Sequence, residues 1–182
     1  MKRSIVNTLA ASGLLLAVLA PVSTYAANGV IQFRGDISDT TCAVGVSSPT
    51  GAEVKFGTVK PDAIIAGTAP ALSFDINVGG GADCTNGKKA VLSFDRNDVD
   101  LVSNNVPLYA GGAGNVQIEI SNSANGVKGD KVLLGQVGAV EAEIVDNAAK
   151  YSYFAQYVRR DNAAPVTPGD GSARLNFTVN VR

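Results

Sequence analysis

Two stretches near opposite ends of the chain alternate apolar and polar residues with a period of two, the spacing that sends successive strand side chains to opposite faces. In the first, Ile31, Phe33, Gly35 and Ile37 are interleaved with Gln32, Arg34, Asp36 and Ser38. In the second, Ala173, Leu175, Phe177, Val179 and Val181 are interleaved with Arg174, Asn176, Thr178 and Asn180. Each predicts a strand, over 29–38 and 172–181, with one continuous apolar row. Between them, β-favouring runs recur at 42–46, 53–59, 72–78, 89–95, 106–109, 115–121, 131–137, 139–145 and 151–159, divided by Gly, Asn, Asp and Pro. Such spacing predicts an all-β antiparallel sandwich. Gly79-Gly80-Gly81, Gly111-Gly112-Ala113-Gly114 and Asn125-Gly126 read as turns or loops. Neither glycine cluster has the Lys-Ser/Thr and following helix of a phosphate loop. Helical periodicity is weak, with at most a turn near Lys60 to Ile65.

The amino-terminal 26 residues stand apart from this pattern. Lys2 and Arg3 precede an apolar core containing Leu14, Leu15, Leu16, Val18 and Leu19, and Thr24-Tyr25-Ala26 offers small residues at the two positions a signal peptidase reads. This predicts a secretory leader removed before Ala27. The stretch falls short of the roughly 20 apolar residues of a membrane span. Residues 27–182 then suit one domain, an extension over 27–40 and a body over 41–182. The whole chain carries a net charge of −1, and losing Lys2 and Arg3 makes the remainder more acidic. With no basic run, the pattern points away from nucleic acid, and no later segment predicts stable membrane insertion.

Secretion changes the reading of the two cysteines. In an oxidising compartment Cys42 and Cys84 are expected to form one disulfide. Their spacing is far from C-x-x-C, and the chain has no histidine to serve as ligand or base. An enzyme is therefore not expected, nor a cofactor. Asp95-Arg96-Asn97-Asp98-Val99-Asp100 clusters oxygens that a hard cation could use, but Val99 stands where an EF-hand needs a ligand, so a solvated loop is the expectation over a metal site. Tyr151, Tyr153 and Tyr157 alternate along one run and are expected in packing rather than as a sugar platform. Asn176-Phe177-Thr178 fits a glycosylation triplet only by coincidence, since it lies within a predicted strand.

An immunoglobulin-like sandwich needs about seven main strands. If the run 173–181 is the sixth, the seventh is absent, and the groove it should fill exposes core side chains beside an unpaired backbone edge. The run at 29–38 could supply the missing strand to a neighbour, its Gly35 allowing close backbone approach. Ile31, Phe33 and Ile37 would each contribute about 1.5–3 kcal/mol on full burial. The alternative is that 29–38 is simply the first strand of a closed, self-contained secreted binding domain. Alternation identifies a strand but not whose sheet it joins.

The residues assembled so far resemble the subunits of chaperone–usher pili, especially type 1 fimbrial major subunits. Gly29-Val30-Ile31-Gln32-Phe33-Arg34-Gly35-Asp36-Ile37, followed by Asp39-Thr40-Thr41-Cys42, is similar to that family's amino-terminal extension and first cysteine. Val54-Lys55-Phe56-Gly57-Thr58-Val59, Phe74-Asp75-Ile76-Asn77-Val78 before Cys84, Asn115-Val116-Gln117-Ile118, Tyr153-Phe154-Ala155-Gln156-Tyr157 and Pro168-Gly169 resemble later motifs in order. The resemblance implies an incomplete sandwich completed in trans, held first by a periplasmic pilus chaperone and then, at an outer-membrane usher, by the extension of the next pilin subunit. It assigns donor-strand roles to Ile31, Phe33, Gly35 and Ile37. Chaperone recognition would fall to Gly169, Leu175, Phe177, Val179 and Val181. Val181 departs from the aromatic, most often tyrosine, that the family has next to last. The implied product is a surface fimbrium supporting adhesion and biofilm formation, with a minor adaptor pilin as the nearest alternative.

Overall fold

A computed structural model of the chain describes residues 28–37 by their backbone and 42–134 and 140–182 in full. The expected leader, residues 1–26, lies outside the described residues, as does Asp39-Thr40-Thr41. Strands dominate: β1 (Asn28–Ile37), β2 (Ala43–Ser47), β3 (Glu53–Thr58), β4 (Ala71–Gly79), β5 (Lys89–Phe94), β6 (Val106–Pro107), β7 (Val116–Ala124), β8 (Val127–Lys131), β9 (Val140–Glu143), β10 (Ala148–Arg159) and β11 (Ala173–Val181). One short helix, α1 (Pro61–Ile65), occupies the place where the sequence predicts a turn, with Pro61 starting its first turn. The all-β expectation therefore holds.

The strands form two sheets. One runs β3-β1-β11-β5-β9 and the other β2-β4-β10-β7-β6, with β8 paired to the side of β7. Their facing rows alternate as strand geometry requires: Phe74, Ile76 and Val78 on β4, and Tyr151, Tyr153, Ala155 and Tyr157 on β10, are buried against Ala90 and Leu92 of β5 and the β11 row. The tyrosines are core residues. Tyr157 packs its ring 4.2 Å from that of Phe56, and Tyr153 lies 5.6 Å from Phe74 and 5.9 Å from Phe94. The Tyr157 hydroxyl donates to Gly171 O at 2.9 Å, just ahead of β11. The Tyr153 hydroxyl is buried without a hydrogen-bond partner, and burial pushes its pKa well above the usual phenol value.

Local chemistry sets the boundaries. Ala124 pairs with Val127, so Asn125-Gly126 forms a two-residue hairpin, with φ of 53° and 78° at the two positions. Those positive angles match a type I′ turn, whose twist suits a right-handed strand pair. The hairpin moves the strand that the sequence puts at 131–137 back to Val127–Lys131. Val132 and Leu134 still point inward and are buried, but from irregular chain. The expected disulfide joins Cys42 to Cys84, with Cα atoms 5.4 Å apart and 42 residues of separation.

The slot beside β11 is the one place where the sheet departs from the expected open groove. β1 lies between β3 and β11 of its own chain, so a single molecule fills from within the position that the sequence leaves to a second chain. The physical reason is proximity: only residues 38–41 separate β1 from the body, and among the described strands β11 pairs with β1 and β5 alone.

Two outcomes follow for stability. Replacing Cys42 and Cys84 by serine should remove about 4 kcal/mol in the chain-entropy account, read as a lowered urea midpoint with a steeper slope, because the unlinked denatured chain is less compact. Tyr153→Phe should be neutral or stabilising in calorimetry, because it deletes a buried hydroxyl that bonds to nothing; a loss above about 1 kcal/mol would contradict that account.

Candidate functional site: the strand slot between β3 and β11

The floor of the slot is built by alternation. On β11, Ala173, Leu175, Phe177 and Val179 are each at most 3% exposed, and on β3 Val54 and Phe56 are buried likewise. Val181 ends the β11 row half-buried. The opposite face of β11, including Arg174 and Asn180, is turned to solvent. Phe177 in its buried row makes Asn176-Phe177-Thr178 part of the sandwich rather than an accessible sugar acceptor.

β1 runs parallel to β11, the one parallel pairing among the described strands. Ile31 is in register with Ala173, Phe33 with Leu175, Gly35 with Phe177 and Ile37 with Val179. The four positions that the sequence marks as an apolar row thus fall level with the four buried positions of β11. On its other flank β1 is antiparallel to β3, with Ile31 opposite Val54 and Gln32 opposite Glu53. β3 begins at Glu53, so β1 is flanked by strands on both sides only at its amino-terminal end, and Phe33 to Ile37 pair with β11 alone.

The rest of β11 is anchored independently of the slot. Phe177 to Val181 pair with Phe94 to Ala90 of β5. Beyond the ladder, Lys89 N–H donates to Arg182 O at 2.8 Å and Arg182 N–H to Lys89 O at 2.9 Å. Glu141 of β9 accepts from Lys89 Nζ at 2.9 Å and also pairs with Arg182. The Lys89 hydrogen bond foremost, then the two cationic charges, hold the Glu141 carboxyl below its usual range despite some desolvation. At the other end Gly169 lies under the 111–114 loop. A Cβ built there would sit 2.6 Å from Ala113 N and 2.8 Å from Ala113 Cα, so only glycine fits. That packing sets the entry of the chain into β11.

The acidic run 95–100 is only in part the solvated loop that the sequence suggests: Asp95, Arg96 and Asn97 are exposed, whereas Asp98 and Asp100 are partly buried. Asp95 caps a 3-10 turn (Arg96–Asp98) by accepting Asn97 N–H at 2.9 Å. Asp98 Oδ2 accepts Asn176 N–H at 2.7 Å, from β11 itself. Asp100 accepts from Val102 and Ser103 N–H and, at 2.8 Å, from Gln117 Nε2, with Arg160 Nε 3.3 Å away. Partial burial works to raise the Asp100 pKa, but the Gln117 bond, the two backbone donors and the Arg160 charge together lower it. These carboxylates hold loops to strands; periodicity could not reveal that, because the bonds join residues as far apart as Asp98 and Asn176.

Gly169→Ala should cost about 1–3 kcal/mol, since the new methyl collides with backbone that cannot swing away. Thermal melts of the folded chain would read this as a fall of several degrees, and an unchanged midpoint would mean the 111–114 loop gives way.

With this geometry in place, the relatives are informative. The profile of the family described as Fimbrial protein matches residues 31–182. The chain is 27% identical to the major fimbrial subunit SMF-1 of Stenotrophomonas maltophilia, over 88% of this chain and 96% of that protein. It is 31% identical to the probable major fimbrial subunit LpfA of Escherichia coli O157:H7, over 84% and 83% respectively, and 32% identical to the F17 fimbrial protein of Escherichia coli, over 91% and 93%. Among solved structures, the CupB6 tip adhesin of Pseudomonas aeruginosa aligns with 60% of this chain at 13% identity and a TM-score of 0.42. This chain spans only a third of that one, and so slight a likeness adds nothing to the assignment. The chain belongs to the fimbrial protein family: it is a structural pilin subunit of a surface fimbrium that assembles with other pilin subunits, not an enzyme.

Proposed function

We propose that this pilin polymerises by donor-strand exchange, the 27–40 extension of one subunit entering the slot of the next after secretion through the periplasm. The observation that carries the reading is the register: Ile31, Phe33, Gly35 and Ile37 fall level with the buried row of β11, in a pairing that is parallel while the described strands otherwise pair antiparallel. A tether explains the direction. From Ile37 to Cys42 the chain takes five steps, at most about 18 Å when fully extended, whereas a ten-residue strand is about 33 Å long. Turning β1 end for end in its own slot would carry Ile37 beyond that reach. A strand donated by another subunit has no such tether and can enter antiparallel, where pairing is slightly more stable per residue. An apolar row spaced by two reads the same in either direction.

The same tether makes self-filling a competitor. A strand held by a short linker faces its own slot at an effective concentration of roughly millimolar or above. Trans assembly therefore needs the slot kept occupied, or β1 kept away, until the next subunit arrives. A periplasmic pilus chaperone lending a strand to the slot and holding the β11 end, followed by an outer-membrane usher that brings subunits together, supplies that role. On this reading residues 1–26 are the leader, 27–40 the donor extension and 41–182 the pilin body. Adhesion and biofilm formation are consequences of the assembled fibre.

Phe33→Asp tests the exchange, because it places a charge at the position level with buried Leu175 of β11. The variant should fold when co-expressed with its chaperone yet form no fibres under electron microscopy. Its isolated chain should melt lower than the wild type and recover several degrees on adding a wild-type peptide spanning 28–40, while the same peptide carrying the Asp should do nothing. Intact fibres from the variant, or melts indifferent to both peptides, would refute donor-strand assembly and favour a self-contained domain.

A further inference from the structure

β11 has two flanks, and the one facing away from the slot is only partly covered by a strand. β5 pairs with it as far as Phe94 opposite Phe177. The next rung of the ladder would join Asp95 to Asn176, and a hydrogen-bonded antiparallel pair exchanges two N–H···O bonds. Only half of that rung comes from backbone: Asp95 N–H donates to Asn176 O at 2.8 Å. β5 ends there, because the chain turns at Asp95 into its 3-10 turn. The missing half comes from a side chain, Asp98 Oδ2 accepting Asn176 N–H at 2.7 Å. The Asp98 side chain is 12% exposed, and its other oxygen lies 3.8 Å from Arg174 Nη2, two residues back along β11.

We propose that Asp98 is a positioning residue for strand uptake: its carboxylate stands in for the absent β5 carbonyl and keeps the Ala173–Asn176 half of β11 straight, so that a strand in the slot meets an ordered backbone. The inference rests on the reading of the slot as the docking site for another subunit's extension. Ala173 to Asn176 are the positions level with Ile31 to Arg34 in the filled slot, and they lie beyond the β5 ladder. A carboxylate is the suitable substitute because it bonds an N–H more strongly than a neutral acceptor and can face Arg174 with its second oxygen. This also gives Asp98, within the run that reads in sequence as a candidate cation site, a role that needs no cation.

The test measures release of a labelled peptide spanning 28–40, chased with unlabelled peptide, from the folded, disulfide-intact chain in a Phe33→Asp background that disables its own extension, with wild type denoting Asp98 in that background. Asp98→Ala should release it about tenfold faster than wild type, corresponding to about 1.4 kcal/mol, and amide exchange at Asn176 should accelerate at least as much. Asp98→Asn, whose side-chain oxygen still reaches the N–H, should stay within about threefold of wild type. A purely global loss of stability would lower the melting temperature without singling out Asn176 or being rescued by asparagine. Wild-type release from Asp98→Ala, or equal acceleration in both variants, overturns the proposal while leaving the slot reading intact. A wild-type chain that takes up no peptide overturns both. Should Asp98→Ala fail to fold, Asp98→Ser, too short to reach Asn176, replaces it with the same expected and contrary results.

Discussion

A β-strand with one buried face and a free backbone edge cannot rest in water: its core-facing side chains want cover, and its N–H and C=O groups want partners. β11 presents this problem twice over. Its row of Ala173, Leu175, Phe177 and Val179 is part of the core, so the strand cannot be surrendered without opening the sandwich. On one flank β5 and the Asp98 carboxylate satisfy it; on the other it depends on whatever strand lies between it and β3. In the proposed exchange, polymerisation is that dependence met by a neighbour.

The architecture around β11 fits such a division of labour. Everything that keeps the strand in place without the slot occupant is built from residues of the body. The Lys89–Arg182 backbone bonds and Glu141 secure its end, Tyr157 bonds Gly171 at its start, and Gly169 packs beneath the 111–114 loop. The occupant can then change identity while its receptor keeps its shape. The disulfide adds to this by limiting the unfolded chain between the start of β2 and the loop before β5.

Filling the slot from within and filling it from a neighbour use the same apolar row but differ in direction and in consequence. The internal strand closes one molecule and ends assembly. A donated strand leaves the donor's own slot to be filled in turn, a heterologous contact that repeats without closing. The tether through residues 38–41 biases a lone chain toward the first outcome, which is why the proposed exchange calls for a partner that guards the slot.

Much of the body could be read from residue pattern alone. Alternation located β1, β3, β4, β5, β7, β10 and β11 to within a residue or three, and the Asn125-Gly126 pair marked a turn, which the structure shows to be a two-residue hairpin, because strand periodicity and turn chemistry are local properties. The cysteine count and the expected compartment were enough to pair Cys42 with Cys84. What alternation could not convey was ownership and direction: a period of two is the same forward and backward, and the same for a strand of one's own as for a neighbour's. Whether β1 lay in its own slot, parallel to β11, depended on the reach of a four-residue connection in three dimensions. The roles of Asp98, Asp100 and Gly169 were hidden for a related reason. Each acts on a segment distant in the chain, through a bond or a close approach that exists only once the sheets have packed.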